Sequence, residues 1–287
     1  MLFMLYTIIP QAKLPRNISG MFTYSAGETY AAGDVAVVEF RKRGILGLVV
    51  EESKEKNAIS LIKPIQKKIG VAPDHMLSLV QWMAGYYAVS PAFIWDAVSP
   101  APVKSKISKP KIPPMIPKFG DRKTRINSLK LPYSVFGSNY TNTYPWDAQT
   151  KYTHFIKLIE DTWKKGASAL LLSPTVADLA YLVQCIPKKW HDQTILFTNE
   201  LYKSKQRYWR AWERVLKTLT PLLVLGARSA IFAPARNLGL IIIDKAESDD
   251  YKQYDQNPRY DARKVAQKMR ELTGCELMMF SDGAVIC

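Results

Sequence analysis

The chain has 287 residues, 47% hydrophobic and 23% charged, with a formal net charge of +15 and a pI near 9.6. That composition excludes disorder throughout, and the length suits one large or two medium domains that each bury a core. The basic balance favours a polyanionic partner, nucleic acid first, because each phosphate met by Lys or Arg releases condensed counterions; a solvated basic surface is the competing explanation.

The stretch from Met1 to Pro10 is apolar but short and lacks a basic leader, so it reads as a strand, not a signal peptide. No later apolar run is long enough to span a bilayer, and a soluble, cytoplasmic protein without membrane partners is expected. Leu2 to Ile9, Asp34 to Phe40 and Ile45 to Val50 read as short strands, rich in β-branched and aromatic residues and punctuated by Gly27, Gly33 and Gly44. They predict a small β-barrel or sandwich. Pro73 and Asp74 open a helix whose Met76, Val80, Met83 and Tyr87 recur at helical spacing, which places Trp82, Tyr86 and Tyr87 in the core.

Between Val103 and Leu131 nine Lys and Arg face Asp121 alone, a net +8 of the chain's +15, with Pro110, Pro113, Pro114 and Pro117 among them. Proline blocks both helix and central strand, so this is an extended basic linker, either a solvated spacer or a strap along phosphates. The expected domains are therefore 1–103, a linker at 104–130, and 131–287.

Beyond the linker, helix and strand alternate. A helical stripe from Tyr152 to Trp163 closes at Gly166, Ala169 to Leu172 is an uninterrupted apolar run, and Thr175 caps a helix carrying Leu179, Leu182, Val183 and Ile186. Thr194 to Phe197, Leu222 to Leu225, Leu238 to Ile243 and Glu276 to Phe280 continue the series. Fully apolar strands separated by helices predict a parallel sheet covered on both faces, with chemistry at the carboxyl ends of the strands.

Cys185, Cys275 and Cys287 are far apart, and His75, His154 and His191 are scattered. Neither a disulfide framework nor a metal site is expected. Asp249 and Asp250 read as a solvated turn.

One of the post-strand turns is informative. From Gly226 the chain reads GARSAIFAPARNLGLIIIDKAESDDYKQYDQNPRYDARKVA, which resembles the stretch around motif II in the primosomal protein N′ family of replication-restart helicases. MFTYSAGETYAAGDVAVVEFRKRGILGLVV resembles that family's 3′-end DNA-binding domain, and QWMAGYYAVSPAFIWDAVSPAP resembles the helix that closes it. The resemblance implies an α/β protein: a small β-barrel-like DNA-binding domain followed by one RecA-like lobe of a superfamily 2 helicase.

Departures from the family's motifs then decide the expected activity. Where the resemblance puts a phosphate-binding loop, Phe136 to Thr143 offers one Gly and no Lys. Motif II keeps Asp244 and Glu247 but has Lys245 in place of the carboxylate that orients the attacking water. Motif III reads Ser281 Asp282 Gly283. The chain ends six residues after Ser281, so the second motor lobe, with its arginine finger and zinc segment, is expected to be absent, as in a reduced relative or truncated gene product. No ATP, Mg²⁺ or zinc is expected, and no catalytic residue is assigned.

The resemblance also implies DNA-facing residues. Phe22 and Lys63 fall where the family's 3′-end pocket has a Phe and a Lys. Arg41 stands at a usual Gly beside Lys42 and Arg43, and Thr23 stands at an acidic position. Tyr251, Lys252, Tyr254, Arg259, Tyr260 and Arg263 form an aromatic and basic loop suited to single strands, with Arg228 near it; Asp261 replaces a family His. The expected partner is forked or 3′-ended DNA, and the alternatives are an ATP-dependent helicase component completed by another chain and a scaffold for replication proteins.

Overall fold

The computed structural model describes residues 4–15, 17–54, 62–102, 133–136, 141–144, 148–198 and 205–282. These fall into two compact units, Met1–Lys106 and Ile107–Cys287. The linker expected at 104–130 lies outside the described residues.

In the first unit β1 (Met4–Pro10), β2 (Phe22–Ala26), β3 (Asp34–Phe40), β4 (Arg43–Glu52) and β5 (Ile65–Val71) form an antiparallel sheet in the order β2-β1-β4-β3-β5. Its two ends meet: Ser25 bridges Pro64, and the Ser25 amide donates to the Lys63 carbonyl at 3.0 Å. The sheet thus curls into a barrel, as the three recognised strands predicted. Tyr6, Ile8, Tyr24, Ala36, Val38 and Val49 cluster in its core. Gly47 is required where β4 passes β1 and β3, since a Cβ there would stand 2.5 Å from the Ile8 methyl.

Two helices follow, α1 (Asp74–Tyr86) and α2 (Pro91–Val98). Ser90 caps α2 by accepting from the Phe93 amide at 3.3 Å, with Pro91 in the first turn, where a missing N–H costs nothing. Met76, Val80 and Met83 are buried as expected. The aromatic trio is not core: Tyr86 is 56% exposed and stacks on a half-buried Trp82 at 5.0 Å. It sits on the last turn of α1.

In the second unit β8 (Ser168–Leu172), β9 (Thr194–Leu196), β10 (Leu223–Gly226), β11 (Leu238–Ile243) and β12 (Glu276–Asp282) are parallel, in the order β12-β11-β8-β10-β9. They match the apolar runs of the sequence. β6 (Tyr133–Phe136) adds antiparallel to β12, and β7 (Thr141–Tyr144) antiparallel to β6. Alternate strand residues (Ala169, Leu171, Leu223, Leu225, Leu240, Ile242) pack with Phe155 and Ile159 of α3 (Ala148–Lys164) and Leu179 and Leu182 of α4 (Val176–Cys185). α5 (Lys205–Lys217) and α6 (Ala262–Thr273) complete the helices.

Thr175 caps α4 as the sequence suggested, accepting from the Asp178 amide at 3.1 Å. Asp261, the replacement for the family His, caps α6 through the Arg263 amide at 2.9 Å, and Gly274 ends that helix in the left-handed region.

Candidate functional site

The open end of the barrel carries the first cluster. Arg41 and Lys42 join β3 to β4 as a two-residue turn closed by the Phe40–Arg43 pair, and both are left-handed (φ 49 and 64). Such turns favour Asn-Gly, and the left-handed region costs an ordinary residue about 1–2 kcal/mol. The turn therefore holds two exposed cations at a conformational cost. The Arg41 guanidinium lies 5.5 Å from the Phe40 ring centre, and that ring meets Phe22 edge-on at 5.3 Å.

Lys63, in the chain entering β5, pairs through Nζ with Glu39 Oε1 at 2.5 Å. The end of β3 thus carries two partly exposed contact groups, Phe22–Phe40–Arg41 and Glu39–Lys63, while Tyr24 is buried and donates to the Glu39 carbonyl at 3.3 Å. Burial, with help from Glu39, pushes the Tyr24 phenol up to about 12, so it stays a neutral donor. Glu39 and Phe40 were missed in the sequence. The alternation of β3, which turns Val38 inward and Glu39 toward solvent, was the available signal.

The carboxyl ends of the parallel strands carry the second cluster. Asp244, one residue past β11, and Asp282, at the end of β12, both meet the ammonium of Lys151. The Asp282 Oδ1 distance is 2.5 Å, and the Lys151 and Asp244 side chains are only 3% and 1% exposed. Burial favours the neutral amine, but the two carboxylates outweigh it and hold Lys151 above the ordinary lysine value. Burial, only partly offset by Lys151, raises the Asp244 carboxyl.

Lys245 turns away to Asp178 of α4 at 2.6 Å, and Glu247 accepts from the Asp282 amide at 3.1 Å. Tyr251 is wholly buried below, its hydroxyl donating to the carbonyls of Leu172 and Asp244.

Two expectations are corrected here. Of the segment taken for the phosphate loop, Phe136 to Thr143, Phe136 pairs with Thr141 across the β6–β7 hairpin and Asn142 and Thr143 continue β7, with 137–140 outside the described residues. A lysine does face Asp244: Lys151, in the first turn of α3, where a helix-opening phosphate loop would present one. Sequence reasoning missed it because no glycine flags the preceding residues.

A magnesium nucleotide, which the resemblance would place at this strand edge, does not fit the side chains present. Asp244, where the resemblance puts a metal ligand, faces an internal ammonium, and the Ser/Thr position after the lysine is Tyr152, packed 5.1 Å from the Tyr181 ring. Among the described residues no three His, Cys, Asp or Glu side chains are grouped to hold a metal.

The loop expected to face single strands divides. Tyr251 and Tyr260 are buried, so their faces are not offered to solvent. Arg263 forks onto Asp261 and donates to the carbonyls of Ala246 and Ser248; Arg228 donates to those of Asp250 and Lys252. Both arginines thus hold the loop's backbone. Against the effect of burial, Arg263 keeps Asp261 below the usual carboxylate range. Lys252 and Arg259 are exposed, with the Lys252 ammonium 5.5 Å over the exposed Tyr254 ring.

Residues 11–100 match the family of PriA 3′DNA-binding domains (3′BD). The replication restart protein PriA of Rickettsia typhi is 28% identical over 254 residues, covering 82% of this chain and 36% of that protein. PriA of Helicobacter pylori is 25% identical over 268 residues, covering 91% and 40%, and PriA of Bacillus subtilis 33% over 151 residues, covering 53% and 17%. The chain spans 36–40% of the length of the first two relatives. A match over 82% of the chain exceeds either unit, so the likeness runs through both. The chain is accordingly similar to PriA proteins along 82–91% of its length, with residues 11–100 matching the 3′ DNA-binding domain and an α/β unit built on parallel strands following it.

Proposed function

We propose that this chain recognises forked or single-stranded DNA with a free 3′ end, and that it does so without hydrolysing ATP. The observation that carries the reading is the pair of contact groups at the end of β3, Phe22–Phe40–Arg41 and Glu39–Lys63, within the stretch that matches 3′ DNA-binding domains. Phe22 and Phe40 offer faces for a terminal base, and Lys63 with Arg41, Lys42 and Arg43 offers charge to the flanking phosphates. Glu39 supplies a carboxylate, an acceptor for the terminal hydroxyl that the neutral Thr23 matches only weakly. In the second unit, Lys252, Tyr254 and Arg259 provide an additional contact for a single strand. The same reading takes the protein to be cytoplasmic, with replication proteins as its neighbours.

The reading without hydrolysis is supported by Lys245 in the place of a catalytic carboxylate and by Tyr152 in the place of a hydroxyl ligand. A nucleotide-dependent helicase component completed by another chain is the second reading, favoured by the Lys151–Asp244 pair. Anisotropy with labelled fork DNA, alongside phosphate release, separates the two. We expect binding without nucleotide, and phosphate release no greater than that of Asp244→Asn. DNA-stimulated release that Asp244→Asn abolishes would establish the second reading instead.

A further inference from the structure

We propose that Lys151 is a built-in counter-ion that takes the place of a metal ion at the strand ends of the second unit, closing its carboxylates to divalent cations. This rests on reading the unit as a relative of a helicase lobe. Lys151 approaches from α3, while Asp244 and Asp282 approach from β11 and β12. One ammonium therefore ties a helix to two neighbouring strands, as a metal ion would tie their carboxylates together.

The surroundings favour permanent closure over a lysine waiting for phosphate. A lysine that serves a nucleotide needs an open loop of backbone N–H groups before it. The sequence before α3 is Tyr144, Pro145, Trp146 and Asp147. Proline has no N–H to give, and an aspartate repels phosphate. Tyr152, the next residue, is tied into the ring cluster with Tyr181 and Phe155 and lacks a short hydroxyl arm. Lys245 is held by Asp178, so it does not compete for Asp244.

The pairing is also incomplete in an informative way. Asp244 Oδ2 is buried and has no hydrogen-bond partner among the described residues. Two carboxylates converge on one point with coordination to spare, so removal of the ammonium leaves an oxygen-lined site for a hard cation.

The test uses the full chain, with Mn²⁺ as a paramagnetic probe titrated by electron paramagnetic resonance, and thermal unfolding in EDTA, in Mg²⁺ and in Mg²⁺ with ATP. For the native chain, unfolding is expected to be indifferent to Mg²⁺ and to Mg²⁺ with ATP. Lys151→Met is expected to gain one Mn²⁺ site at least about tenfold tighter than any in the native chain and to unfold at a higher temperature in Mg²⁺ than in EDTA. Lys151→Met combined with Asp244→Asn is expected to lose both gains.

A native chain stabilised by Mg²⁺ or Mg²⁺ with ATP would overturn the proposal, as would a folded Lys151→Met chain that takes up no Mn²⁺. If Lys151→Met folds only with divalent metal, the proposal stands. If it does not fold even then, while the double variant folds, the proposal falls. A native chain that binds Mg²⁺ with ATP but turns none over would end this inference and leave the DNA-binding reading, which is tested by fork anisotropy, untouched.

Discussion

The ammonium of Lys151, in the first turn of α3, lies against the carboxylate of Asp244 at the end of β11, with both side chains almost wholly shielded from solvent. Lys151 also meets Asp282, whereas Asp244 has no second ion-pair partner among the described residues, so its charge depends on Lys151. Removing one partner of a buried pair commonly costs about 3–5 kcal/mol, whereas replacing both with neutral groups costs far less. Lys151→Met is therefore expected to destabilise the second unit by about that amount in urea without divalent metal, and Asp244→Asn in the same chain to recover most of it. Equal unfolding midpoints for native and Lys151→Met chains would show that the pair carries no such charge.

The β3–β4 turn makes a different kind of prediction, because Arg41 and Lys42 are left-handed without being Gly, Asn or Asp. Replacing them with Asn and Gly should raise the stability of the barrel by about 1–2 kcal/mol per position. The same change removes two cations from the proposed DNA face, so affinity for DNA should fall while the thermal midpoint rises. A variant with both stability and affinity increased would separate this turn from DNA binding.

Lys63 and Glu39 form one of the two contact groups at the end of β3. Lys63→Ala is expected to weaken fork binding and to flatten the plot of log affinity against log salt by about 0.9, the value of one lost phosphate contact on duplex DNA. An unchanged slope would place Lys63 outside the interface.

His75 is buried in the first turn of α1, and its Nε2 has no hydrogen-bond partner among the described residues. Burial lowers its pKa from 6.5 to about 4, against a weaker opposing pull from Asp74. A depressed folded pKa means that the stability from this group is fully present above pH 6.5 and is lost as pH falls through about 4. The loss is worth about 3 kcal/mol. His75→Leu should lose less stability than the native chain between these two pH values, as read from urea midpoints; parallel losses would assign the acid sensitivity elsewhere.

The frame of the second unit was legible because its strands are unbroken apolar runs, and Thr175 announced its cap. β5 was missed since Lys67 and Lys68 interrupt any alternation: this strand is largely exposed on one side, and its identity comes from pairing with β3. α5 was missed as well, although Trp209, Trp212, Val215 and Leu216 bury one face of it. Tyr251 and Tyr260 sit among charges that suggest a surface loop, yet Arg228 and Arg263 fold that loop back over the sheet and bury both rings. Lys151 stayed hidden for a related reason. A glycine-rich loop is readable in sequence, but a lysine that has kept its place without one is recognised only when its carboxylates are seen around it.

The most direct measurement is anisotropy of the full chain on two forks that differ only at the 3′ end lying at the junction, one a hydroxyl and the other a phosphate. A hydroxyl can donate to Glu39, whereas a phosphate brings like charge against it. Tighter binding of the hydroxyl fork, with the preference removed by Phe22→Ala, is the expected result. Equal binding of both forks, weakening steeply with salt, would contradict recognition of the 3′ end and leave only general attraction to phosphate.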